Sequence, residues 1–346
     1  MPRRIAILKP SALGDIVHAL PVLTALRERF PDARISWVVN KGFEPLLAGH
    51  PHLDETLPFD RGAFRGNAGK AVTYSLRFAD VLRKRRFDLV IDLQGLLRTG
   101  LMSAATGAAV RVGFANAREG SRHFYTRRVE VPDADRIHAV DRYWRVAESL
   151  GAGDRPKRFV VPVRADEAAS VRRELAHLPR PWVAVAAGAK WVTKRWPPAH
   201  FAALLNRMFA ATGGSAVLVG AGDDTALSAE VAAGLRGPVA DLTGKTPLPK
   251  LVAVLAAADV MLANDTGPLH LAAALGRPSV APYLCTKVAL HGPYGVPGGG
   301  VETAVPCGGS YVKQCPNGFV CFPDLTPDHL WGALAAALHA NPNRSA

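Results

Sequence analysis

Apolar positions along the chain follow two periods. Short apolar runs bounded by turn residues read as buried strands, and between them apolar residues recur at the three- and four-residue spacing of helices. Residues 5–8 form the first run; after the loop 9–14, Ile16, Leu20, Leu23 and either Leu26 or Ala19 share one face of a helix that ends near Phe30 and Pro31. Residues 35–39 return as a strand. A basic stretch over 61–86 leads to a continuous apolar strand at 89–93, which Gln94 and Gly95 turn into another helix, and 110–114 reads as strand four. The same grammar restarts at 182–186. A helix with Phe201, Leu204, Leu205 and Met208 on one side precedes strand 216–219, and strands 239–242, 260–263 and 279–281 alternate with helices to about Gly234, at 249–257 and at 269–275. Strands alternating with helices predict parallel α/β architecture in two doubly wound domains, 1–165 and 166–325, with a ligand cleft between them outside the C-terminal strand ends. The proline-rich segment 155–181 reads as the linker, and 327–339 as a terminal amphipathic helix.

Composition narrows this. A chain of 346 residues, 49% hydrophobic and 21% charged, has the make-up of an ordinary globular protein and the length of two domains. The longest apolar stretch, 251–263, is interrupted by Asp259, so no segment spans a membrane. Pro2-Arg3-Arg4 followed by 5–8 imitates a secretory leader, but Lys9 and Asp15 break the run and no cleavage site follows; a cytoplasmic protein is expected. Cys285, Cys307, Cys315 and Cys321 lack the close spacing of a zinc ribbon and read as reduced thiols. The charge is the informative quantity: of a net +13, residues 1–165 hold 28 Lys+Arg against 17 Asp+Glu, and the remainder 14 against 12. The first domain therefore faces a polyanion, which by charge alone is nucleic acid, an anionic membrane or a phosphorylated substrate. The basic residues are not interleaved with aromatics, and no common nucleic-acid motif is present.

Several strand ends carry candidate chemistry. Lys9-Pro10-Ser11-Ala12-Leu13-Gly14-Asp15 joins the first strand to the first helix, so Asp15 points into the expected cleft or caps the helix. His18, one turn on, is a second cleft residue or a surface histidine. Asn264-Asp265-Thr266-Gly267-Pro268-Leu269-His270 opens a helix at another strand end, where the Thr266 and Gly267 N–H groups can bind an anion. Gly188 to Pro197 places Lys190, Lys194 and Arg195 at a third, where cations can neutralise a diphosphate without a metal. Gly220-Ala221-Gly222-Asp223-Asp224 is half of a dinucleotide fingerprint, whose acids either bind a ribose or cap a helix. Asp133-Ala134-Asp135 follows Pro132 in a charged loop and is not read as a metal site.

Together Lys9 to Asp15 with His18 and Pro21, Asp92-Leu93-Gln94-Gly95, Gly188 to Pro197, and Asp265-Thr266-Gly267 with His270 and Ala273 resemble glycosyltransferase family 9, the lipopolysaccharide heptosyltransferases. Trp37-Val38-Val39 with Gly42-Phe43, Ala117-Arg118-Glu119 and His138-Ala139-Val140 resemble the branch that adds the first heptose. The resemblance implies a GT-B fold of two Rossmann-like domains, the first for the acceptor and the second for the donor, with the 326–346 segment packing back toward the first. It further implies inverting, metal-independent transfer from ADP-L-glycero-D-manno-heptose to Kdo-lipid A, on the cytoplasmic face of the inner membrane. Asp15 would be the base and Lys194 the diphosphate cation. Lys190, Asp224, Asp265, Thr266, Gly267 and His270 would bind the donor, and Ser11, Gly14, His18, Gln94, Arg118 and His138 the acceptor. No cofactor, metal, nucleic acid or obligatory oligomer is expected, and the basic first domain would touch the anionic membrane. Ala189 and Lys190 stand where the first-heptose pattern has hydroxyl residues, so an epimerase or a transferase using another nucleotide sugar is the alternative; a basic nucleic-acid-binding protein is the alternative of a different class.

Overall fold

The computed structural model describes residues 1–64 and 68–340. The chain divides into two compact units, Met1–Pro162 and Val163–Ala346, a few residues before the expected boundary. Unit 1 carries strands β1 (Arg4–Leu8), β2 (Arg34–Asn40), β3 (Glu55–Phe59), β4 (Leu89–Asp92), β5 (Val110–Phe114) and β6 (Arg127–Val129). Their spatial order is β3-β2-β1-β4-β5-β6, and the pairings are parallel. Unit 2 repeats the plan with β7 (Trp182–Ala186), β8 (Ser215–Leu218), β9 (Val239–Asp241), β10 (Val260–Ala263), β11 (Ser279–Tyr283) and β12 (Gly300–Glu302), ordered β12-β11-β10-β7-β8-β9. In each sheet the first strand lies at the centre and the winding reverses beside it, between β1 and β4 and between β7 and β10. Such a switch point leaves a crevice at the C-terminal strand ends, because neighbouring connections leave to opposite faces of the sheet.

Helices cover both faces, which is why the inner strands read as unbroken apolar runs: Ile5, Ala6, Ile7 and Leu8 are all fully buried. The elements that the apolar pattern does not announce lie at the edges. β3, with Pro58 and an alternating burial pattern, β6 and β12 are outer strands, so β5 is the fifth strand of the chain and not the fourth. Helix Ala68–Lys84 lies within the basic stretch, where Phe78 and Leu82 are its buried residues. The expected linker contains helix Ala165–Glu174, fixed by buried Val171 and by an ion pair of Glu174 with Lys250 at 2.9 Å.

The terminal helix Pro327–His339 buries Leu330, Leu334 and Leu338 in the core of unit 2, against Leu204, Met208 and Val280 among others. Its apolar stripe is consumed there, so the helix is an integral layer of unit 2. Among the described residues, no helix is long and apolar enough to cross a membrane.

Candidate active site

In unit 1 the switch point is built by the loops after β1 and β4. The β1 loop enters helix Leu13–Arg29, in whose first turn Asp15 sits. Its Oδ2 accepts the Ala12 N–H at 3.0 Å, the capping role open to it from sequence. Its Oδ1 does more: it accepts the Tyr143 hydroxyl at 3.0 Å and lies 3.7 Å from Lys9 Nζ. Burial raises the Asp15 pKa, but the Lys9 charge, the Ala12 N–H and the Tyr143 hydroxyl outweigh it and hold the carboxyl below its ordinary value. Tyr143 reaches this place because helix Ala139–Ser149 packs on helix Leu13–Arg29.

The β4 loop is shaped by Asp92, a fully buried carboxylate that accepts the Gln94 and Gly95 N–H groups at 2.9 and 3.0 Å and the Tyr125 hydroxyl at 2.7 Å. Burial raises its pKa against these bonds. Tyr125 can approach only because residue 113 is glycine, since a Cβ there would overlap the Tyr125 ring. Gly95, at φ +67°, turns the chain, and its carbonyl accepts the Arg118 N–H at 3.0 Å.

The result is a pocket of about 410 Å³ lined by Lys9, Asp15, Gln94, Asn116, Arg118, Asp135, Arg142 and Tyr143 among others. Three cations face two carboxylates, so it suits a polar, anionic ligand with one hydroxyl near Asp15. Gln94 lines it too, with a buried Oε1 acceptor. The structure thus brings Asp15, Gln94 and Arg118 together. Ser11 and Gly14 belong to the same loop and first turn, outside the pocket lining. His18 and His138 do not line it: both are buried, their rings meet edge to face at 4.9 Å, and His138 Nδ1 caps its helix by accepting the Val140 N–H. Sequence reasoning missed Tyr143, Arg142 and Asn116, which nothing near the motif announces.

In unit 2 the corresponding loops follow β7 and β10. Asn264, fully buried, ties them together: its Nδ2 donates to the Ala187 carbonyl at 2.6 Å and its Oδ1 accepts the Trp196 N–H at 3.0 Å. The Trp196 indole N–H donates to the Leu325 carbonyl at 2.6 Å, so the tryptophan anchors the cationic loop to the core. Lys194 is thereby held with Nζ 2.6 Å from Asp265 Oδ2, over the Trp191 ring at 5.0 Å. Asp265 also accepts the Thr286 hydroxyl at 2.8 Å, and its Oδ1 lies 3.4 Å from His270 Nε2. Burial opposes its ionisation, but His270 and Lys194 hold the carboxyl far below the usual range. Thr266 and Gly267 open helix Gly267–Ala274 beside this cluster. Thr286 is a further member that the spacing does not reveal.

Asp224 stands at the helix start after β8, where its Oδ2 accepts the Ala221 N–H at 3.0 Å. A Cβ at position 188 would overlap its carboxyl group, so Gly188 is what lets Asp224 lie against the loop that carries Lys194. Asp223 and Lys190 are exposed. Cys285 is buried against Thr193 at 3.4 Å, and Cys321 lies in the core, where burial pushes its thiol to about 11. Asp133 pairs with Arg145 at 3.5 Å, while Ala134 and Asp135 of that motif line the first pocket.

Solved structures share this architecture. A glycosyltransferase family 9 protein from Veillonella parvula is 22% identical, with a TM-score of 0.83 and 97% of each chain covered. The E. coli heptosyltransferase WaaC with ADP is 26% identical, with a TM-score of 0.72 over 96% of this chain and 99% of that one. The fold is therefore GT-B, and the protein is a glycosyltransferase. More narrowly, the chain belongs to glycosyltransferase family 9, the heptosyltransferases, whose model matches residues 75–320. Lipopolysaccharide heptosyltransferase 1 of Pseudomonas aeruginosa is 31% identical over 319 residues, 90% of this chain and 87% of that protein.

Proposed function

We propose that the protein transfers heptose from ADP-L-glycero-D-manno-heptose to Kdo-lipid A, with inversion and without a metal ion. The observation that carries the reading is the Asp15 carboxylate, held ionised in a cationic pocket at the switch point of unit 1. An acceptor hydroxyl there attacks the anomeric carbon in line; the new C–O bond forms, the bond to the diphosphate breaks, and ADP leaves with the electron pair. Asp15 takes the hydroxyl proton. Its low pKa makes it a weak base toward a free alcohol, but the attacking oxygen becomes strongly acidic as it bonds to carbon, so proton transfer runs downhill when it is needed.

On the donor side Lys194 offsets the diphosphate charge, as a fixed cation does for a departing anion. Asp265, Thr266, Gly267 and His270 shape its site, Lys190 lies at its rim, and Asp224 is assigned to the ribose. Arg118 and Gln94 orient the acceptor, with Ser11 and Gly14 framing the base. One similarity supports the donor: E. coli heptosyltransferase WaaC is described both with ADP and with ADP-2-deoxy-2-fluoro heptose. The basic unit 1 is proposed to touch the anionic cytoplasmic surface of the inner membrane. Its helix Ala68–Lys84 exposes Val72 and Leu76 beside Arg77 and Arg83, the pairing of apolar and cationic groups that an anionic lipid surface attracts.

The test is transfer by purified protein from ADP-heptose and from other nucleotide sugars to a Kdo-bearing acceptor. Asp15→Ala should keep ADP-sugar affinity and lose about 10²–10⁴ in rate; substantial remaining transfer overturns the assignment. Protection from unfolding by UDP and not by ADP would replace the donor.

A further inference from the structure

Among the described residues Lys9 is the one buried lysine or arginine, with 2% of its surface exposed. A buried ammonium is costly unless its surroundings compensate it. Its backbone is fixed at the end of β1, where its N–H donates to the Val38 carbonyl at 3.3 Å and its carbonyl accepts the Trp37 indole N–H at 3.1 Å. The Nζ donates to the Leu93 carbonyl at 3.2 Å, lies 4.7 Å from the centre of the Tyr143 ring, and otherwise faces Asp15 Oδ1 at 3.7 Å. That same oxygen takes the Tyr143 hydroxyl, and the other takes the Ala12 N–H. The carboxylate is therefore held from three directions, by Lys9 and Ala12 of the loop after β1 and by Tyr143 of helix Ala139–Ser149. The most expensive of them is an ammonium that core packing alone would have made a methionine or leucine.

We propose that Lys9 is the positioning residue for Asp15, fixing the orientation and the ionised state in which the carboxylate takes the acceptor proton. The inference rests on Asp15 being the base. The two groups shift in agreement: burial lowers the Lys9 pKa, but Asp15 and Tyr143 raise it beyond the ordinary lysine value, while Lys9 lowers that of Asp15. Other charged or titratable groups facing Asp15 are Tyr143 and Arg142 from helix Ala139–Ser149, Arg118 and Asp135 around the pocket, and His18 one turn along its own helix.

The experiment measures kcat and acceptor KM from pH 4 to 8 for wild type, Lys9→Met, Lys9→Arg and Asp15→Ala, with circular dichroism confirming the fold. An opposite charge at this distance moves a carboxylate by about 1–3 pH units. Lys9→Met should therefore raise the acid limb of kcat by about one unit or more, so that the variant falls progressively further behind wild type as the pH drops toward 4 than it does at pH 8. Lys9→Arg keeps the charge and should leave the limb in place even where kcat falls, which preserves the test if Lys9→Met does not fold. A uniform loss at every pH with the limb fixed would make Lys9 structural, and a raised acceptor KM with the limb fixed would make it a ligand of the acceptor; either overturns the proposal, as does a limb that moves in Lys9→Arg. Transfer by Asp15→Ala would instead overturn the assignment of the base.

Discussion

The Lys194–Asp265 pair lends itself to a thermodynamic cycle. At 2.6 Å and an effective dielectric constant of about 20, the gross attraction is roughly 6 kcal/mol. Desolvation of the two groups offsets several of those, which leaves a coupling of about 2 kcal/mol. The partners are not equivalent: the Asp265 side chain is 5% exposed and that of Lys194 18%. Lys194→Met strands a buried carboxylate and should cost about 3 kcal/mol, at the low end for a broken buried pair because Thr286 and His270 still hold it. Asp265→Asn leaves a lysine that can turn toward water, and should cost less, about 2 kcal/mol. The double variant should then cost about 3 kcal/mol, against about 5 if the effects added. Urea unfolding followed by tryptophan fluorescence reads this, since Trp191 and Trp196 flank the pair. The pH dependence has a fixed sign. The folded pKa of Asp265 is depressed, so its contribution is fully present above the unfolded value of about 4 and is lost as pH falls through the folded value. The gap between wild type and Asp265→Asn should thus be flat from pH 5 to 8 and shrink below pH 4. Additivity within about 0.5 kcal/mol, or a gap that widens in acid, would refute the view of a coupled ionised pair.

Two further outcomes follow from the same geometry. Gly113→Ala forces a Cβ into the Tyr125 ring and should destabilise unit 1 by about 1–3 kcal/mol while loosening the Asp92-held loop; chemical denaturation measures the first and acceptor KM the second. Neutralising Arg77, Arg83 and Arg86 should weaken binding to anionic vesicles by about 1 kcal/mol per charge, while changes at Lys245 and Lys250 should not, as read by vesicle sedimentation. Arg85 is left out of that set because its guanidinium binds Glu55 at 2.7 Å, so its loss would confound docking with folding.

Much of this protein is written locally. A strand buried on both faces must be apolar throughout, which is why β1, β4, β7 and β10 are legible, and with them the loops that carry Asp15, Gln94, Lys194 and Asp265. Edge strands and helices with one narrow buried stripe carry no such constraint, so β3, β6, β12 and helix Ala68–Lys84 are hidden among polar and charged residues. The sequence also allowed two fates for several candidates. Asp224 and His138 both turn out to cap helix starts, the first beside the Lys194 loop and the second buried against His18.

The sequence by itself therefore determined the family, the two sheets and the strand ends from which chemistry would come, because backbone burial and turn chemistry act between near neighbours. Only the tertiary structure decided what each charged group does. Asp15 acquires Lys9 and Tyr143, and Tyr143 comes from a helix 128 residues away. Lys194, and not Lys190, acquires Asp265, because Trp196 and Asn264 lock its loop across the switch point. Ionisation and aim depend on distances of a few ångströms, and those are set by packing between elements that the order of residues does not place together.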